Sequence, residues 1–294
     1  MKAVVFGSRG QLGFDLIRWL SKSSEVFSFS REEVDITDLE KVKKIIFEIR
    51  PDFVFNATGW NNVDGAEKVE NAERVFSVNS FSPYFLLLLC KEISATFINV
   101  STDYVFDGKK RLPYEEQDEP NPLSVYALSK LLGELLIKKS GYSKFIIVRS
   151  GGLYGVNGSY IAGRTYRNFV ERVIENISSQ KKMRIVYDVF SAPTYTFDLA
   201  RKIVELAKEG FTGIVHIMQI GEISWYDFSR LIANLLHLDD RFIEPITLAE
   251  LRAPAQRPNY SVLKNSVLEK LGKNDMMSVE DALKSYLKER GLIL

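Results

Sequence analysis

The stretch KAVVFGSRGQLG (residues 2–13) joins a short apolar run to a glycine-rich turn and the start of a helical pattern. Gly7, Gly10 and Gly13 recur at intervals of three. The first glycine permits a tight turn, the second lets the backbone approach a pyrophosphate, and the third permits close packing of helix on sheet. Amides at the helix N-terminus would then bind phosphate oxygens. Because the turn lies in the first strand–helix unit, it predicts a dinucleotide-binding site.

Strand and helix patterns alternate through the first half of the chain. Apolar runs predict buried strands at KAVVF (2–6), EVFSF (25–29), DFVFNAT (52–58), TFINV (96–100) and KFIIV (144–148). Helical patterns separate them, including one over 66–78 and one over 122–140. Short connections between such units indicate a parallel sheet covered on both faces. The predicted fold class is α/β, a Rossmann-type doubly wound parallel sheet with a smaller C-terminal substrate domain.

The alternation becomes less regular after residue 150, which sets the predicted domain boundary. Residues 1–150 are predicted to form the Rossmann domain and residues 151–294 the substrate domain. A segment around 190–210 is expected to pack back on the first domain. The polar, glycine-containing stretch 157–168 predicts a mobile loop, and 249–262 predicts a long one, of the length that is usually functional or disordered.

Composition excludes several classes of protein. The 294 residues include 39 lysines and arginines against 38 aspartates and glutamates, a net charge of +1. So balanced a charge predicts no binding to nucleic acid or to an anionic membrane surface. The longest apolar run, YFLLLLC (84–90), is too short to span a bilayer. With no signal peptide visible before the first strand, we expect a cytoplasmic protein.

The cysteine and the histidines indicate packing rather than metal binding. Cys90 is the single cysteine and lies in an apolar helical run, where it would act as a small apolar side chain. His216 and His237 are far apart and lack ligand spacing, so no zinc site is predicted. His216 lies in a strand-like run and is expected to be packed.

Two stretches carry polar side chains that predict catalysis. STDYVFDG (101–108) follows a predicted strand, and ligands bind at strand ends in parallel sheets. YALSK (126–130) places Tyr126 and Lys130 one helical turn apart on one face. A lysine there would lower the pKa of the phenol and make it a better acid–base group near neutral pH. Thr102 would hold a substrate carbonyl while Tyr126 protonates it.

A set of motifs spread from residue 7 to residue 263 resembles a known family. The glycine turn, the strand-end S-T-D-Y and Y-x-x-x-K are together similar to the extended short-chain dehydrogenase/reductases. The closer resemblance is to the dTDP-4-dehydrorhamnose reductase family, and it rests on GQLG (10–13), VDGAE (63–67), STDYVFDG (101–108), PNPLSVYALSK (120–130), APTY (192–195) and RPNYSVL (257–263). The resemblance implies an NAD(P)H-dependent oxidoreductase of carbohydrate biosynthesis that reduces a nucleotide-4-keto sugar. The reaction expected from the family is the reduction of dTDP-4-dehydrorhamnose to dTDP-rhamnose.

The resemblance also implies roles for residues at matching positions. The implied catalytic residues are Thr102, Tyr126 and Lys130. The implied nucleotide-sugar contacts are Asp103, Tyr104, Arg257 and Ser261, and an arginine can grip a diphosphate with two parallel bonds. The predicted contacts of the cofactor, NADPH or NADH, are Gly7, Arg9, Gly10, Gln11, Leu12, Gly13, Arg31, Asp35, Asn56, Ala57, Tyr126 and Lys130, with Asn79 nearby. Some relatives hold Mg²⁺ at a subunit interface, so the resemblance allows for Mg²⁺ and a homodimer without placing a metal site.

The choice between NADPH and NADH depends on side chains near the adenosine 2′ position. The strand at 25–29 has no acidic residue at its immediate end, where Arg31 follows closely, and Arg9 lies inside the glycine turn. These two arginines are expected to bind a 2′-phosphate, which predicts a preference for NADPH. Glu32 and Glu33, about 20 residues beyond the turn, favour the opposite choice.

Two departures from the family pattern leave the exact sugar open. The family usually carries a tryptophan where this chain has Gly152, so an aromatic wall against the sugar is missing. The G-x-N-F segment is lengthened to NGSYIAGRTYRNF (157–169), which predicts a different closure over the substrate. Two alternatives stay open: another nucleotide-sugar reductase or epimerase, and a non-catalytic regulatory subunit like the methionine adenosyltransferase β subunit. The intact set of Thr102, Tyr126 and Lys130 favours an enzyme.

Overall fold

A parallel sheet forms the centre of the molecule, in a computed structural model that describes residues 1–161 and 164–294. The strands are β1 (Lys2–Phe6), β2 (Glu25–Phe29), β3 (Phe53–Asn56), β4 (Thr96–Thr102), β5 (Phe145–Ser150), β6 (Ser159–Ile161), β7 (Arg164–Tyr166), β8 (Met183–Val186), β9 (Phe190–Ser191), β10 (Gly213–His216), β11 (Ile223–Ser224) and β12 (Ile243–Ile246).

Helices cover the sheet and build most of the second half. They are α1 (Gln11–Leu20), α2 (Leu39–Ile49), α3 (Val63–Ala66), α4 (Ala72–Phe76), α5 (Ser82–Ile93), α6 (Val125–Lys139), α7 (Phe169–Ser178), α8 (Thr196–Lys208), α9 (Trp225–Leu235), α10 (Leu248–Leu251), α11 (Ser266–Lys270) and α12 (Val279–Glu289). Short 3₁₀ turns occur at Val69–Asn71, Asp103–Val105 and Asp240–Phe242, and a π-helical turn occurs at Ser77–Phe81.

The central sheet has the strand order β10-β5-β4-β3-β1-β2, and every adjacent pair in it is parallel. The chain builds outward in one direction from β1 to β2 and in the other from β3 to β10. In sheets of this kind ligands bind beyond the carboxyl ends of the strands, where the direction of building changes. This is the predicted Rossmann-type arrangement.

Strand register brings the predicted site segments to one edge of the sheet. β4 runs two residues further than predicted, and its last residue, Thr102, pairs with Ser150 at the end of β5. Phe6 at the end of β1 pairs with Asn56 at the end of β3. The glycine turn, which follows β1, therefore lies at the same edge as the catalytic stretch that follows β4.

The helix that carries the Y-x-x-x-K motif begins later than predicted. The sequence pattern predicted 122–140, whereas α6 begins at Val125, because the Ser124 hydroxyl caps it by accepting a hydrogen bond from the Ala127 amide at 3.2 Å. Further along α6, a Cβ added to Gly133 would lie 2.5 Å from the carbonyl oxygen of Asn79. The glycine therefore lets α6 pack tightly on the π-helical turn.

The single helix predicted over 66–78 is wrong. The chain instead forms α3, a 3₁₀ turn and α4, which continues through the π-helical turn into α5. Asn71 stabilises the break, because its side-chain amide donates a hydrogen bond of 2.7 Å to the Gly65 carbonyl. A side-chain bond of this kind offers the backbone an alternative to a continuous helix.

α5 carries the longest apolar run of the sequence and contributes to the core. Leu86, Leu87, Leu89 and Cys90 are buried there, and burial raises the pKa of the Cys90 thiol. Within the described ranges, 1–161 and 164–294, no helix has both the length and the apolar composition that a membrane crossing requires.

The second half of the chain contributes both to the central sheet and to a core of its own. β10 extends the sheet beside β5, and α8 packs against α1. Leu199 of α8 belongs to the same apolar cluster as Leu16 of α1. A separate apolar cluster includes Val173, Phe228 and Leu283, from α7, α9 and α12. The division into two domains near residue 150 stays a prediction.

The two stretches predicted as loops contain short elements. In 157–168, β6 and β7 pair antiparallel, and residues 162–163 of this predicted mobile loop lie outside the described residues. In 249–262 the chain completes α10, whose start is fixed by reciprocal hydrogen bonds between Thr247 and Glu250. After α10 the chain crosses the catalytic edge of the sheet, and we call residues 255–263 the C-terminal strap.

Candidate active site

Thr102, Tyr126 and Lys130 meet at the carboxyl end of β4. The hydroxyls of Thr102 and Tyr126 are hydrogen-bonded, and the Lys130 ammonium donates to the carbonyl of Val100 on β4. All three side chains are nearly enclosed, with exposed fractions of 5%, 9% and 5%. The structure therefore brings the predicted catalytic residues together in a site that holds little water.

Burial sets the pKa of both titratable groups in this set. It raises the pKa of Tyr126 to about 12, against the lowering effect of the Thr102 hydrogen bond, and Asp103 raises it further. Burial lowers the pKa of Lys130 to about 8, and the Glu134 carboxylate opposes this shift. We had expected the lysine to lower the pKa of the phenol. That expectation is wrong for the protein without ligand, because removal from water outweighs the other influences on the phenol.

Asp103 is a buried carboxyl directly beside Thr102, the threonine predicted to take part in catalysis. Its oxygens accept hydrogen bonds from the hydroxyls of Ser261, at 2.5 Å, and Thr102, at 3.1 Å. A Cβ added to Gly151 would lie 2.2 Å from the Asp103 carboxyl carbon, so the backbone beyond β5 packs directly on it. Burial raises the pKa of Asp103 to about 6, although both hydrogen bonds act to lower it.

Tyr104 connects the catalytic tyrosine to the C-terminal strap. Its ring meets the Tyr126 ring edge-on, with the centroids 6.3 Å apart, and its hydroxyl is hydrogen-bonded to Arg257. The Arg257 guanidinium also forms a bidentate pair with the Asp64 carboxylate of α3, at 3.0 and 2.9 Å. All four predicted sugar-contacting residues, Asp103, Tyr104, Arg257 and Ser261, therefore belong to one connected cluster.

The glycine turn requires glycine at two positions. Gly7 has φ +88°, and an added Cβ would lie 2.8 Å from the carbonyl oxygen of Ala57 after β3. A Cβ on Gly13 would lie 2.1 Å from the Gly7 carbonyl oxygen. The third glycine thus closes the turn on itself, rather than only bringing the helix close to the sheet. Gly10 is the N-cap of α1, so the N-terminus of the helix, with its backbone amides, lies directly after the turn.

The other predicted cofactor residues lie at the start of α1 and at the end of β3. Leu12 is buried under the turn, and the Gln11 side chain donates to the Leu153 carbonyl at 3.5 Å. The Asn56 side chain donates to Asn99 at 2.8 Å and accepts from Thr58. These hydrogen bonds fix the strand ends around the cradle.

Charged residues surround the position predicted for the adenosine. Arg9 lies 3.6 Å from the Glu32 carboxylate, and Arg31 lies 3.7 Å from Asp35. Both arginine side chains are more than half exposed. Arg74 of α4 also pairs with Asp35, and it was not predicted from the sequence. The two arginines of the predicted clamp therefore each face a carboxylate that a bound phosphate would have to compete with.

Sequence reasoning missed three charged residues that support the site. Asp64 lies in the quoted motif VDGAE, yet its pairing with Arg257 had no local signal. Glu134 and Arg149 form a buried pair behind the catalytic residues. Only Glu134 carried a usable signal, since it lies one helical turn beyond Lys130.

The structure also bears on the metal and on the missing tryptophan. In the described part of the chain, no group of three or more histidine, cysteine, aspartate or glutamate side chains is placed to hold a metal ion.

Gly152 has φ +60°, and an added Cβ would lie 3.1 Å from Pro193 and 3.2 Å from the ring tip of Trp225. A larger residue at position 152 would therefore need both backbone strain and rearranged neighbours.

Comparison with known proteins agrees with this geometry. The family described as "RmlD substrate binding domain" matches residues 1–291. The dTDP-4-dehydrorhamnose reductase of Burkholderia thailandensis is 33% identical over 285 residues, which cover 92% of each chain. This chain belongs to the dTDP-4-dehydrorhamnose reductase family. The spore coat polysaccharide biosynthesis protein SpsK of Bacillus subtilis is also 33% identical, over 290 residues that cover 98% of each chain.

Solved structures of the reductase family superpose on this one. The dTDP-4-dehydrorhamnose reductase of Clostridium acetobutylicum is 34% identical with a TM-score of 0.92, over 99% of this chain and 100% of that one. The Bacillus anthracis enzyme, solved with NADP, is 28% identical with a TM-score of 0.90, over 98% and 99%. A UDP-glucose 4-epimerase from Thermus thermophilus, at 20% identity and a TM-score of 0.82, shares the fold. The predictions of the family, of the Rossmann-type fold and of a family of NAD(P)-dependent oxidoreductases are confirmed.

Proposed function

We propose that this protein is an NAD(P)H-dependent reductase of a nucleotide-linked 4-keto sugar, with dTDP-4-dehydrorhamnose as substrate and dTDP-rhamnose as product. The observation that carries the proposal is the direct connection of Thr102, Tyr126 and Lys130 to the cluster around Asp103 and Arg257. A reductase needs a proton donor and a sugar-binding cluster at one place, and the residues proposed for the two roles lie together at this edge of the sheet.

The residues around the glycine turn fit a dinucleotide. The Gly7 and Gly13 backbone forms a cradle that any Cβ would fill, and the α1 amides face it. Lys130 reaches this edge beneath the loop after β3, since a Cβ on Gly59 would lie 3.7 Å from its ammonium. We propose that Lys130 binds the nicotinamide ribose and that the cradle binds the pyrophosphate.

Bound NADPH would supply a hydride to the ketone carbon, and negative charge would then develop on the carbonyl oxygen. In our proposal Thr102 and Tyr126 donate hydrogen bonds to that oxygen, and Tyr126 transfers its proton to it. A pKa of about 12 keeps the phenol protonated before the reaction. The near-complete enclosure of these groups strengthens each hydrogen bond, because the local dielectric is low.

The cluster beside the catalytic residues fits a polar sugar and its diphosphate. Asp103 and Tyr104 present polar atoms next to Tyr126, and Arg257 offers a planar guanidinium with geometry suited to phosphate. Ser150, the register partner of Thr102, is buried, and within residues 1–161 and 164–294 its hydroxyl has no hydrogen-bond partner. A ligand hydroxyl at this edge would satisfy it.

The direct test is to mix the purified protein with NADPH and dTDP-4-dehydrorhamnose and to follow the nicotinamide absorbance. We expect oxidation of one NADPH per sugar reduced, and no oxidation without the sugar. Oxidation only with a different nucleotide-4-keto sugar would move the assignment to that sugar, as the Gly152 departure allows. No oxidation with any of them would favour a regulatory binding role.

The compartment and the assembly are part of the same proposal. We propose a cytoplasmic enzyme, as the sequence analysis predicts. The homodimer stays a prediction, and light scattering coupled to size-exclusion chromatography tests it. Addition of EDTA or Mg²⁺ to the same samples tests whether a metal contributes to assembly.

A further inference from the structure

Glu134 lies one helical turn beyond Lys130 on α6 and is completely buried. Its carboxylate accepts three hydrogen bonds from the Arg149 guanidinium of β5, at 3.1, 3.1 and 2.6 Å. It also accepts a hydrogen bond from the Ser101 hydroxyl of β4. One carboxylate thus joins the catalytic helix to the two strands beside it.

The two strand residues that bond to Glu134 are each adjacent in sequence to the last residue of their strand. Ser101 directly precedes Thr102, and Arg149 directly precedes Ser150. In each strand pair these residues face each other, Ser101 with Arg149 and Thr102 with Ser150. A shift of the carboxylate would therefore move the ends of both strands and with them the backbone that carries the Thr102 hydroxyl.

We propose that Glu134 is a positioning residue of the reductase, which fixes the Thr102 strand end against α6 and supplies a negative charge one helical turn from Lys130. The proposal rests on the proposed function, because it assigns a role to Glu134 through the catalytic residues. A buried Glu–Arg pair by itself adds little stability over apolar residues of the same size. The Glu134–Arg149 pair instead connects α6, β4 and β5, the three elements that carry the proposed site, which points to a role in positioning.

The charges around Lys130 make the direction of the effect clear. Glu134, on the same helix, raises the pKa of Lys130 against the lowering effect of burial. From the neighbouring elements, Asp103, in the turn after β4, acts on Tyr126, and Arg149 of β5 pairs with Glu134. His216 of β10 lies 3.5 Å from Arg149, and with a pKa lowered to about 3 it is neutral. Loss of the Glu134 charge would leave Arg149 as an unpaired buried cation, which disfavours a second cation at Lys130.

The first test is the pH profile of Glu134→Gln. The amide keeps the size and one acceptor but loses the charge. We expect the alkaline limb of kcat to move to lower pH by about one to two units, since one nearby opposite charge shifts a pKa by that amount. NADPH affinity should begin to fall at a correspondingly lower pH, because Lys130 is proposed to bind the ribose. This binding measurement needs no sugar, so it still reports on Glu134 if the proposed substrate is wrong.

Two further variants separate position from charge. Glu134→Asp keeps the charge on a shorter side chain that cannot reach Ser101 and Arg149 together, so kcat should fall about tenfold while the alkaline limb stays in place. Asp198→Asn is the matched control, since Asp198 is a buried carboxylate that pairs with Arg201 on α8. It should lower thermal stability without moving the pH profile.

The outcomes decide between this role and a structural one. An alkaline limb that stays in place in Glu134→Gln, for both kcat and NADPH binding, would overturn the proposal. So would a kcat for Glu134→Asp that equals wild type. If Glu134→Gln fails to fold, the Glu134→Asp variant and Ser101→Ala carry the test. Ser101→Ala should lower kcat at every pH without moving the limb, and unchanged kcat in both variants would contradict the positioning role.

Discussion

Arg257 of the C-terminal strap and Asp64 of α3 form a bidentate ion pair, although 193 residues separate them along the chain. The Arg257 side chain is only 19% exposed. The strap makes a second contact where Ser261 donates to Asp103. The proposed sugar-binding residues are thus held against the catalytic edge before any ligand binds, which reduces the ordering cost of binding.

We predict that Arg257→Ala weakens binding of the nucleotide-sugar by about 10- to 100-fold, the value of one charge-assisted hydrogen bond, and leaves NADPH binding unchanged. Calorimetric titration with each ligand measures both affinities. Asp64→Asn should weaken sugar binding less than Arg257→Ala does, because the amide oxygen still accepts one hydrogen bond from the guanidinium and keeps part of the pre-organisation. Arg230→Ala, which removes an exposed pair with Asp240, is the matched control. Equal weakening of both ligands by Arg257→Ala would make the strap a structural element.

We predict that Tyr126→Phe keeps NADPH affinity and loses turnover by about 10²- to 10⁴-fold, because general acid catalysis is worth that much. Single-turnover kinetics at saturating substrate isolate the chemical step. Tyr142→Phe is the control, since it removes a tyrosine hydroxyl that binds the Ala95 carbonyl away from the site. Turnover near the wild-type value in Tyr126→Phe would remove this residue from its assigned role.

We predict that the protein binds NADPH more tightly than NADH and that Arg9→Ala reduces NADPH affinity by about 10- to 100-fold, the loss of one bond to a charged group. NADH affinity should not change. Glu32→Gln should strengthen NADPH binding, because this carboxylate lies 3.6 Å from Arg9 and competes with a 2′-phosphate. Fluorescence titration gives each dissociation constant. Wild-type protein that binds both cofactors equally, or an Arg9→Ala effect on both, would rule out the clamp.

We predict that Asp103 destabilises the fold at neutral pH. Its pKa in the folded protein is about 6, above the ordinary 3.8, so the folded state binds this proton more tightly than the unfolded state does. The free energy of unfolding that protonated Asp103 contributes is fully present below about pH 4. It is lost as pH rises through the folded-state pKa of about 6. The stability of Asp103→Asn relative to wild type should therefore rise by about 2 kcal/mol between pH 4 and pH 8.

Denaturant unfolding at both pH values measures the effect of Asp103. Asp107→Asn gives a control of opposite sign, because hydrogen bonds from Lys109, Asn121 and Tyr114 keep the pKa of Asp107 below its ordinary value despite some burial. Its stability relative to wild type should fall as pH rises towards 4 and should then stay nearly constant from pH 4 to pH 8, because a lowered carboxyl pKa places the change on the acid side of the ordinary value. A constant difference between Asp103→Asn and wild type would mean that Asp103 titrates normally.

The cofactor half could be predicted well because its signals are local. A strand, a turn with glycines at fixed spacing and an amphipathic helix are each specified by neighbouring residues, and their order specifies a parallel sheet. β1 and β2 occupy the predicted residues. Boundaries were less accurate where side chains compete with the backbone, as Ser124 does at α6 and Asn71 does before α4.

The sequence by itself determined the Rossmann-type sheet, the glycine cradle and the identity of the proposed catalytic residues, because each depends on spacing within one or two elements. Only the tertiary structure decided their electrostatics and their partners. Ser261 and Asp103 lie 158 residues apart, and no local pattern encodes their hydrogen bond. The pKa of Tyr126 was expected to fall and instead rises, because desolvation depends on every group that packs around the phenol, and the fold alone brings those groups together.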